Sequence, residues 1–221
     1  MQGKQQGDQH GANQKLEASP GVEALTSDAD WSDADTRHDV SYEVFLEQLA
    51  HDMAYEDKLS PVQEALLRRF GYTAAPSVDG PFGFQMRVFT PGKPEFQHPV
   101  IAFRGTEFTS VKDIQSDVAP QGVGHNQFRA NQRRIQIALG EASRFGRVWV
   151  TGHSLGGALA QLTAATYSAA VGRVITFQSP SIDAYSVKQL EAYNRAYPED
   201  AVSSTHYQVA GDVVSTAGER L

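Results

Sequence analysis

The pentapeptide Gly152-His153-Ser154-Leu155-Gly156 matches G-x-S-x-G, a pattern that presents a nucleophilic serine. A β-type run at 148–151 precedes it, and small, helix-favouring residues follow it to about residue 170. Strand, tight turn and helix are the context this pattern requires, with the serine in a backbone conformation that is normally avoided. The flanking glycines have no Cβ, so the strand and the helix can approach closely. We therefore expect the Ser154 hydroxyl at the carboxyl edge of a sheet; a chance match is the alternative.

A serine that attacks an acyl bond needs hydrogen-bond donors for the oxyanion. One is expected from the backbone N–H of Leu155, the residue after the serine. Thr106 is the second candidate, because Arg104-Gly105-Thr106 directly follows the apolar strand predicted at 99–103. The Thr106 N–H, with the Thr106 hydroxyl as a further donor, would complete the oxyanion hole. The alternative for Thr106 is an ordinary turn at the end of a strand.

The carboxylate that orients a catalytic base should follow a later strand. Asp212 does so, since it lies just beyond the strand predicted at 205–210. The alternative for Asp212 is an aspartate that simply caps a turn. Asp183, after the strand predicted at 173–177, is the competing acid.

No histidine follows Asp212, although the usual chain order for this motif is serine, acid, histidine. The earlier histidines lie in the leader, on an N-terminal helix, beside the serine, or at the start of a strand. His125 opens a helix and can approach the site, but we interpret it as structural. We expect that the base is missing from these 221 residues and that the chain was cut before its natural end. The seven histidines are His10, His38, His51, His98, His125, His153 and His206.

Length and composition predict one ordinary domain behind a polar leader. Residues 1–36 are rich in Gln, Gly, Asp and Ala, so burial cannot offset the entropy of ordering them. We interpret them as a disordered leader or linker; an interaction tail or a translocation signal is the alternative. Residues 37–221 form the folded domain, which we expect to be truncated at its C-terminus.

Charge and residue content exclude several classes of protein. A net charge of −7 without a visible basic stripe argues against a nucleic-acid binder. The chain has no cysteine and no His/carboxylate cluster at ligand spacing, so we predict no disulfide, metal or cofactor. Neither a membrane-spanning run nor a signal peptide is visible. We expect a cytoplasmic chain or one exported by a signal-less route, and both an exported bacterial effector and a plain fragment stay open.

The elements that must position these residues alternate between helices and strands. Apolar residues from Val40 to Ala54 recur at helical spacing, and Ser60-Pro61 begins a second helix with Glu64 close to a capping box. Further strands and helices are predicted over 83–90, 99–103, 126–145, 148–151, 173–177, 187–197 and 205–210. This alternation predicts an α/β fold in which helices cover both faces of a mostly parallel sheet.

With these residues in place, the chain resembles the class 3 lipases, the fungal-type triacylglycerol lipases of the α/β-hydrolase superfamily. Four blocks carry the resemblance in the family's order and approximate spacing: 100–106, 150–160, 176–180 and 209–214. The resemblance covers about residues 84–215. It implies an α/β-hydrolase fold, with Ser154 as the nucleophile, Asp212 as the triad acid, and Thr106 with Leu155 as the oxyanion hole.

The same resemblance implies a lid over residues 107–116, where apolar residues recur every third position. In the family this amphipathic helix shields the site in water and swings away at a lipid surface. The stretch 125–128 is similar to the family's His-x-Gly-Phe, with Gln127 in place of glycine, which favours a structural role for His125. The chief departure from the family is the missing downstream histidine.

We predict a serine ester hydrolase that acts on lipid esters, of the triacylglycerol lipase or phospholipase A type, through an acyl-enzyme on Ser154. The alternative is a lipase-derived lipid-binding or interaction module that lacks the triad histidine. A third hypothesis keeps the serine but transfers the acyl group to an alcohol. The expected partner is a lipid ester at a membrane or micelle surface, with no nucleic acid and no evident protein partner.

Overall fold

The fold is that of a computed structural model, which describes residues 36–95, 97–105 and 124–208, without the side chains of 36–41. The chain divides into two units, Met1–Ser41 and Tyr42–Leu221, and all side-chain contacts below belong to the second. Most of the leader predicted over 1–36 lies outside the described residues.

Within the described residues, one seven-stranded sheet forms the centre of the fold. Its strands are β1 Tyr72–Ala74, β2 Val78–Gly80, β3 Phe84–Pro91, β4 Val100–Phe103, β5 Val148–His153, β6 Val171–Phe177 and β7 Ser203–Tyr207. Strands β4 to β7 run parallel to one another. Strand β3 is antiparallel to β4. Strands β1 and β2 are also antiparallel to β3 and pair one after the other along its opposite edge. The predicted parallel sheet is therefore present, with antiparallel strands at one edge. Two of these strands, β1 and β2, have only three residues each, too few to show a periodic pattern.

Helices cover both faces of the sheet, as predicted. The helices are α1 Thr36–Gln48, α2 Pro61–Arg69, α3 His125–Ala142, α4 Leu155–Thr166 and α5 Ala184–Ala196. Helix α1 continues into a π-helical turn, Leu49–Met53, which with α2 packs on one face. Helices α3, α4 and α5 pack on the other. Successive residues of a strand are buried on opposite faces of the sheet. Ala102 belongs to the core under the π-helical turn and α2, and Ile101 belongs to the core under α3, α4 and α5. Burial on both sides explains why these strands are continuously apolar.

The start of α2 corrects one detail of the sequence analysis. Ser60 Oγ accepts from the Gln63 N–H at 3.3 Å, and the Ser60 N–H donates to Gln63 Oε1 at 2.8 Å. The capping box is therefore closed by Gln63, because the reciprocal residue lies three positions after the cap. Glu64, the residue expected to close it, instead lies 3.6 Å from Arg68 one turn later. None of the described helices is both long and apolar enough to cross a bilayer.

Candidate active site

The carboxyl ends of the parallel strands bring the candidate residues to one edge of the sheet. In the pairing register, Gly152 lies beside both Phe103 of β4 and Thr176 of β6. Ser154 follows β5 directly, and its N–H donates to the carbonyl oxygen of Phe177 at 3.0 Å. Open α/β sheets bind their ligands outside this edge.

Ser154 occupies a strained backbone conformation between β5 and α4, with φ 52° and ψ −128°. A positive φ is costly for a residue with a side chain, and such strain collects at functional sites. Three non-glycine residues in the described part of the chain have positive φ: Phe82, Ser154 and Gln178. All three adjoin this edge, since the first residues of β3 extend past the end of β4. The turn predicted from G-x-S-x-G is therefore present, and two other residues at the same edge, Phe82 and Gln178, also have a strained backbone.

Close packing explains why glycines flank the serine. A Cβ on Gly156 would lie 2.2 Å from the Phe103 carbonyl oxygen, and one on Gly152 would lie 2.2 Å from the Gly156 carbonyl carbon. Both obstacles are backbone atoms, so no side-chain movement could relieve them. The strand, the turn and the helix can meet only where neither position carries a Cβ.

The positive end of α4 points at the space beside Ser154. Leu155 is the first residue of the helix, and first-turn N–H groups have no partner within their own helix. They carry the positive end of the helix dipole, so a developing anion at this place is stabilised. This geometry suits the donor role expected for the Leu155 N–H. The other expected donor, Thr106, lies outside the described residues.

Gly105, the residue before Thr106, packs directly against the serine. A Cβ placed on it would lie 3.3 Å from Ser154 Cβ, 2.5 Å from the His153 carbonyl oxygen and 2.6 Å from Tyr55 Oη. Tyr55 Oη and Ser154 Cβ therefore both lie within 3.3 Å of this one position. The Arg104 guanidinium lies over the Tyr55 ring, 5.1 Å from its centroid, and donates to Gln85 at 3.0 Å. Tyr55 was not predicted at the site, because its approach to Gly105 joins segments fifty residues apart in the chain.

A buried arginine holds the segment that carries Tyr55. Arg87, on β3, donates from its guanidinium to the carbonyl oxygens of Glu56, Asp57 and Ala75. Burial lowers the pKa of Arg87, although nearby carboxylates oppose this effect. A planar, five-donor guanidinium suits three carbonyl acceptors, which a lysine could not satisfy in the same way.

The π-helical turn brings a histidine–carboxylate pair to the elbow. His51 Nδ1 lies 2.9 Å from Asp52 Oδ1, and the His51 ring meets the His153 ring edge to face at 4.6 Å between centroids. His153 Nε2 in turn lies 3.0 Å from Gln178 Oε1. The hydrogen bond to Asp52 raises the pKa of His51, although partial burial opposes it. His51 was not expected at the site because it lies on an N-terminal helix, yet the fold brings its ring into contact with the ring of His153, the residue before Ser154.

A second histidine–carboxylate pair lies at the start of α4. His125 Nε2 is 2.6 Å from Asp183 Oδ2, and Asp183 caps α5 by accepting from the Ser186 N–H at 3.0 Å. Burial alone would raise the pKa of Asp183, but hydrogen bonds from Ser186 and His125 outweigh it and lower the pKa. A Cβ on Gly124 would lie 3.3 Å from Leu155 Cδ1. His125 and Asp183, two separate candidates in the sequence, therefore bond to each other. Their bond links the start of α3 to the start of α5, and the start of α3 lies next to the first turn of α4.

The two remaining histidines of the sheet lie at opposite edges, and the other candidates lie outside the described residues. His98 stacks on Trp149 at 4.9 Å, on the strand leading to the elbow. His206 bonds Thr176 Oγ1 at 2.7 Å and lies near the end of β7, not at its start as expected. Asp212 and the predicted lid at 107–116 lie outside the described residues. No group of three or more possible metal ligands occurs in the part of the chain that the structure describes.

Comparison with known proteins assigns the family. The model of the Phospholipase-like family, described as the Tle-like phospholipase domain, matches residues 40–220. Among solved structures, the Lip2 lipase of Yarrowia lipolytica superposes with a TM-score of 0.51 at 15% identity, over 78% of this chain and 72% of that chain. A putative dienelactone hydrolase from Klebsiella pneumoniae has a TM-score of 0.34 at 11% identity, over 63% of this chain and 88% of that chain, too low to bear on the fold. No curated protein matches the sequence.

The family match spans most of the chain, and the likeness to Lip2 lipase establishes the fold. The expected α/β-hydrolase fold and the expected relationship to lipases are both confirmed. The chain belongs to the Phospholipase-like family, as a Tle-like phospholipase domain, and is thereby a lipid ester hydrolase of the α/β-hydrolase superfamily.

Proposed function

We propose that this protein is a phospholipase that cleaves a carboxylic ester of a glycerophospholipid through an acyl-enzyme on Ser154. The observation that carries the proposal is the strained backbone of Ser154, φ 52° and ψ −128°, between a buried strand and a helix N-terminus. Such strain collects at functional sites, and Ser154 is only partly buried. The family's description favours a phospholipid over a triacylglycerol as the substrate.

In the proposed reaction, Ser154 Oγ attacks the ester carbonyl carbon while a base takes the hydroxyl proton. The oxyanion receives hydrogen bonds from the N–H groups of Leu155 and Thr106, aided by the dipole of α4. The base returns its proton to the departing lysophospholipid oxygen. Water then attacks the acyl-enzyme, and the fatty acid leaves as Ser154 regains its proton. Asp212 is the proposed acid behind the base, and residues 107–116 are the proposed lid.

We assign the proposed catalytic domain to residues 37–221, with 1–36 as a leader. We consider two hypotheses for the base. His51 is the candidate within the chain, and its acid would then be Asp52 and not Asp212. The bond from Nδ1 to Asp52 leaves Nε2, the nitrogen that a triad histidine turns to serine. The other possibility is the one expected from the sequence, that these 221 residues hold no base.

The test of the nucleophile is covalent labelling with a fluorophosphonate, followed by peptide mass spectrometry. We expect the label on Ser154 and expect Ser154→Ala to abolish both labelling and fatty-acid release from phosphatidylglycerol micelles. Absence of label on Ser154 in a folded protein that still binds the micelles would reject the enzyme in favour of a lipid-binding module. Recovery of the acyl group on added glycerol instead of water would identify a transferase.

The test of the base is His51→Gln, with His98→Gln as a control away from the elbow. A catalytic His51 predicts loss of about 10⁴-fold in hydrolysis, as for other triad members. Because Asp52 raises the pKa of His51 and only the neutral ring accepts a proton, activity should rise with pH through a value above about 6.5. Equal rates for both variants would show that His51 is not the base.

A further inference from the structure

An exposed phenylalanine is held in a strained turn at the edge of the sheet that carries Ser154. Phe82 lies between Pro81 and Gly83, in the turn that joins β2 to β3, with φ 62° and ψ 33°. Its side chain is 72% exposed. A left-handed backbone disfavours any side chain with a Cβ, and exposure of an aromatic ring adds no burial to offset that cost. Folding by itself therefore does not explain a phenylalanine at this position.

Two buried amides hold the turn in place. Gln127 Nε2 donates to the Phe82 carbonyl oxygen at 2.8 Å, and Asn131 Nδ2 donates to the Pro81 carbonyl oxygen at 3.1 Å. Both side chains come from α3 and are almost fully buried. A Cβ on Gly80 would lie 1.9 Å from Asn131 Oδ1, so the turn seats closely on the helix. The ring of Phe82 thus projects from a rigid support.

The same helix carries an arginine face on its outer side, and one of its arginines, Arg134, lies beside this turn. Arg129, Arg133 and Arg134 are exposed, and none of the carboxylates in the described residues forms an ion pair with them. Arg134 Cδ lies 3.3 Å from the position of a Cβ on Gly80, next to the turn. Ile137, 54% exposed, lies one turn further along α3. The sequence showed no basic stripe because these residues are spread over the outer side of one helix in a chain of net charge −7.

We infer that Phe82 and the arginine face of α3 (Arg129, Arg133 and Arg134) form a docking surface for an anionic phospholipid bilayer. Cationic side chains around exposed apolar ones are the composition of surfaces that lie in the interface of anionic membranes. An aromatic ring can enter the headgroup region while the guanidinium groups bind lipid phosphates. The location supports the same partner, because the turn adjoins the edge where Ser154 would meet its lipid, and in this respect the inference rests on the proposed function.

Vesicle binding by the full chain tests the inference without requiring catalysis. We would measure co-sedimentation of the Ser154→Ala protein with phosphatidylglycerol/phosphatidylcholine vesicles and with pure phosphatidylcholine vesicles. Three variants are compared in that background: Phe82→Gly, which suits the left-handed backbone, R129Q/R133Q/R134Q, and the charge-matched R68Q/R144Q/R195Q. Urea unfolding of each variant confirms that it is folded.

We expect Phe82→Gly to weaken binding to the anionic vesicles about tenfold, as the loss of one inserted ring implies. R129Q/R133Q/R134Q should weaken it about 100-fold, since each cation near an anionic surface contributes about fivefold. The R68Q/R144Q/R195Q control should bind within about twofold of the parent, and pure phosphatidylcholine should bind weakly throughout.

Three results would overturn the inference. One is equal weakening by the two triple variants, which would mean that net charge alone acts. The second is unchanged binding by Phe82→Gly and by R129Q/R133Q/R134Q. The third is a dimer in sedimentation velocity that Phe82→Gly dissociates, since a second copy would then occupy the surface. The catalytic proposal fails separately, through absence of phosphonate labelling of Ser154 in the wild-type chain.

Discussion

Gly156→Ala is expected to damage both the stability and the activity of this protein. A Cβ at this position would lie 2.2 Å from the carbonyl oxygen of Phe103 and 2.8 Å from the carbonyl carbon of Arg104. Cβ atoms essentially never approach other heavy atoms within 3.0 Å. Helix α4 must therefore withdraw from β4 until 2.2 Å has become at least 3.0 Å. Since both obstacles are backbone, no side-chain rotation can substitute for this movement.

The size of that displacement sets the expected magnitudes. Overpacking a close-packed site costs about 1–3 kcal/mol, and an obstacle made of backbone belongs at the upper end, about 3 kcal/mol. For a chain of this length such a loss lowers Tm by roughly 6–12 °C. The movement also shifts the N–H of Leu155 relative to Ser154. A misplacement near 1 Å in a catalytic group costs about 10²-fold in rate.

The matched control is Gly140→Ala, near the exposed end of α3. A Cβ there would meet nothing within 4 Å, so only the helix propensity changes. We expect a gain of about 0.5–1 kcal/mol and unchanged labelling of Ser154. Urea unfolding and the rate of fluorophosphonate labelling are measured for both variants. Wild-type stability and labelling rate in Gly156→Ala would refute the view that close backbone approach at Gly156 builds the site.

Two further predictions concern Ser154 and Asp183. Ser154→Gly and Ser154→Ala should both lose hydrolysis, but the glycine variant should be more stable in urea by roughly 1 kcal/mol, because glycine accepts the strained backbone; equal midpoints would argue against strain at this residue. Asp183→Asn should cost about 1–3 kcal/mol at pH 7, since hydrogen bonds to an ionised group are lost. Because the folded pKa of Asp183 is lowered, this difference should be complete above about pH 3.9 and vanish as the pH falls through the lower folded value. A gap that is unchanged in unfolding experiments at pH 3 would contradict the assigned charge.

Local pattern was sufficient for much of the fold. The elbow and the alternation of strands and helices depend on residues within a few positions of one another, and the structure contains them at about the predicted places. The cap of α2 was predicted at Ser60, while its partner was displaced by one residue to Gln63. Strands β1 and β2 were not predicted, because they form only by pairing with β3.

The sequence by itself determined that Ser154 lies in a strained turn between a buried strand and a helix, since Gly152 and Gly156 are local requirements of that turn. Only the tertiary structure decided which distant groups surround it. Tyr55 and His51 reach the elbow because the π-helical turn packs against β4 and β5. His125 and Asp183, fifty-eight residues apart, bond because α3 and α5 begin at the same edge. Such pairings follow from the register and order of the strands, which arise from burial of the whole sheet and leave no periodic signal in any one segment.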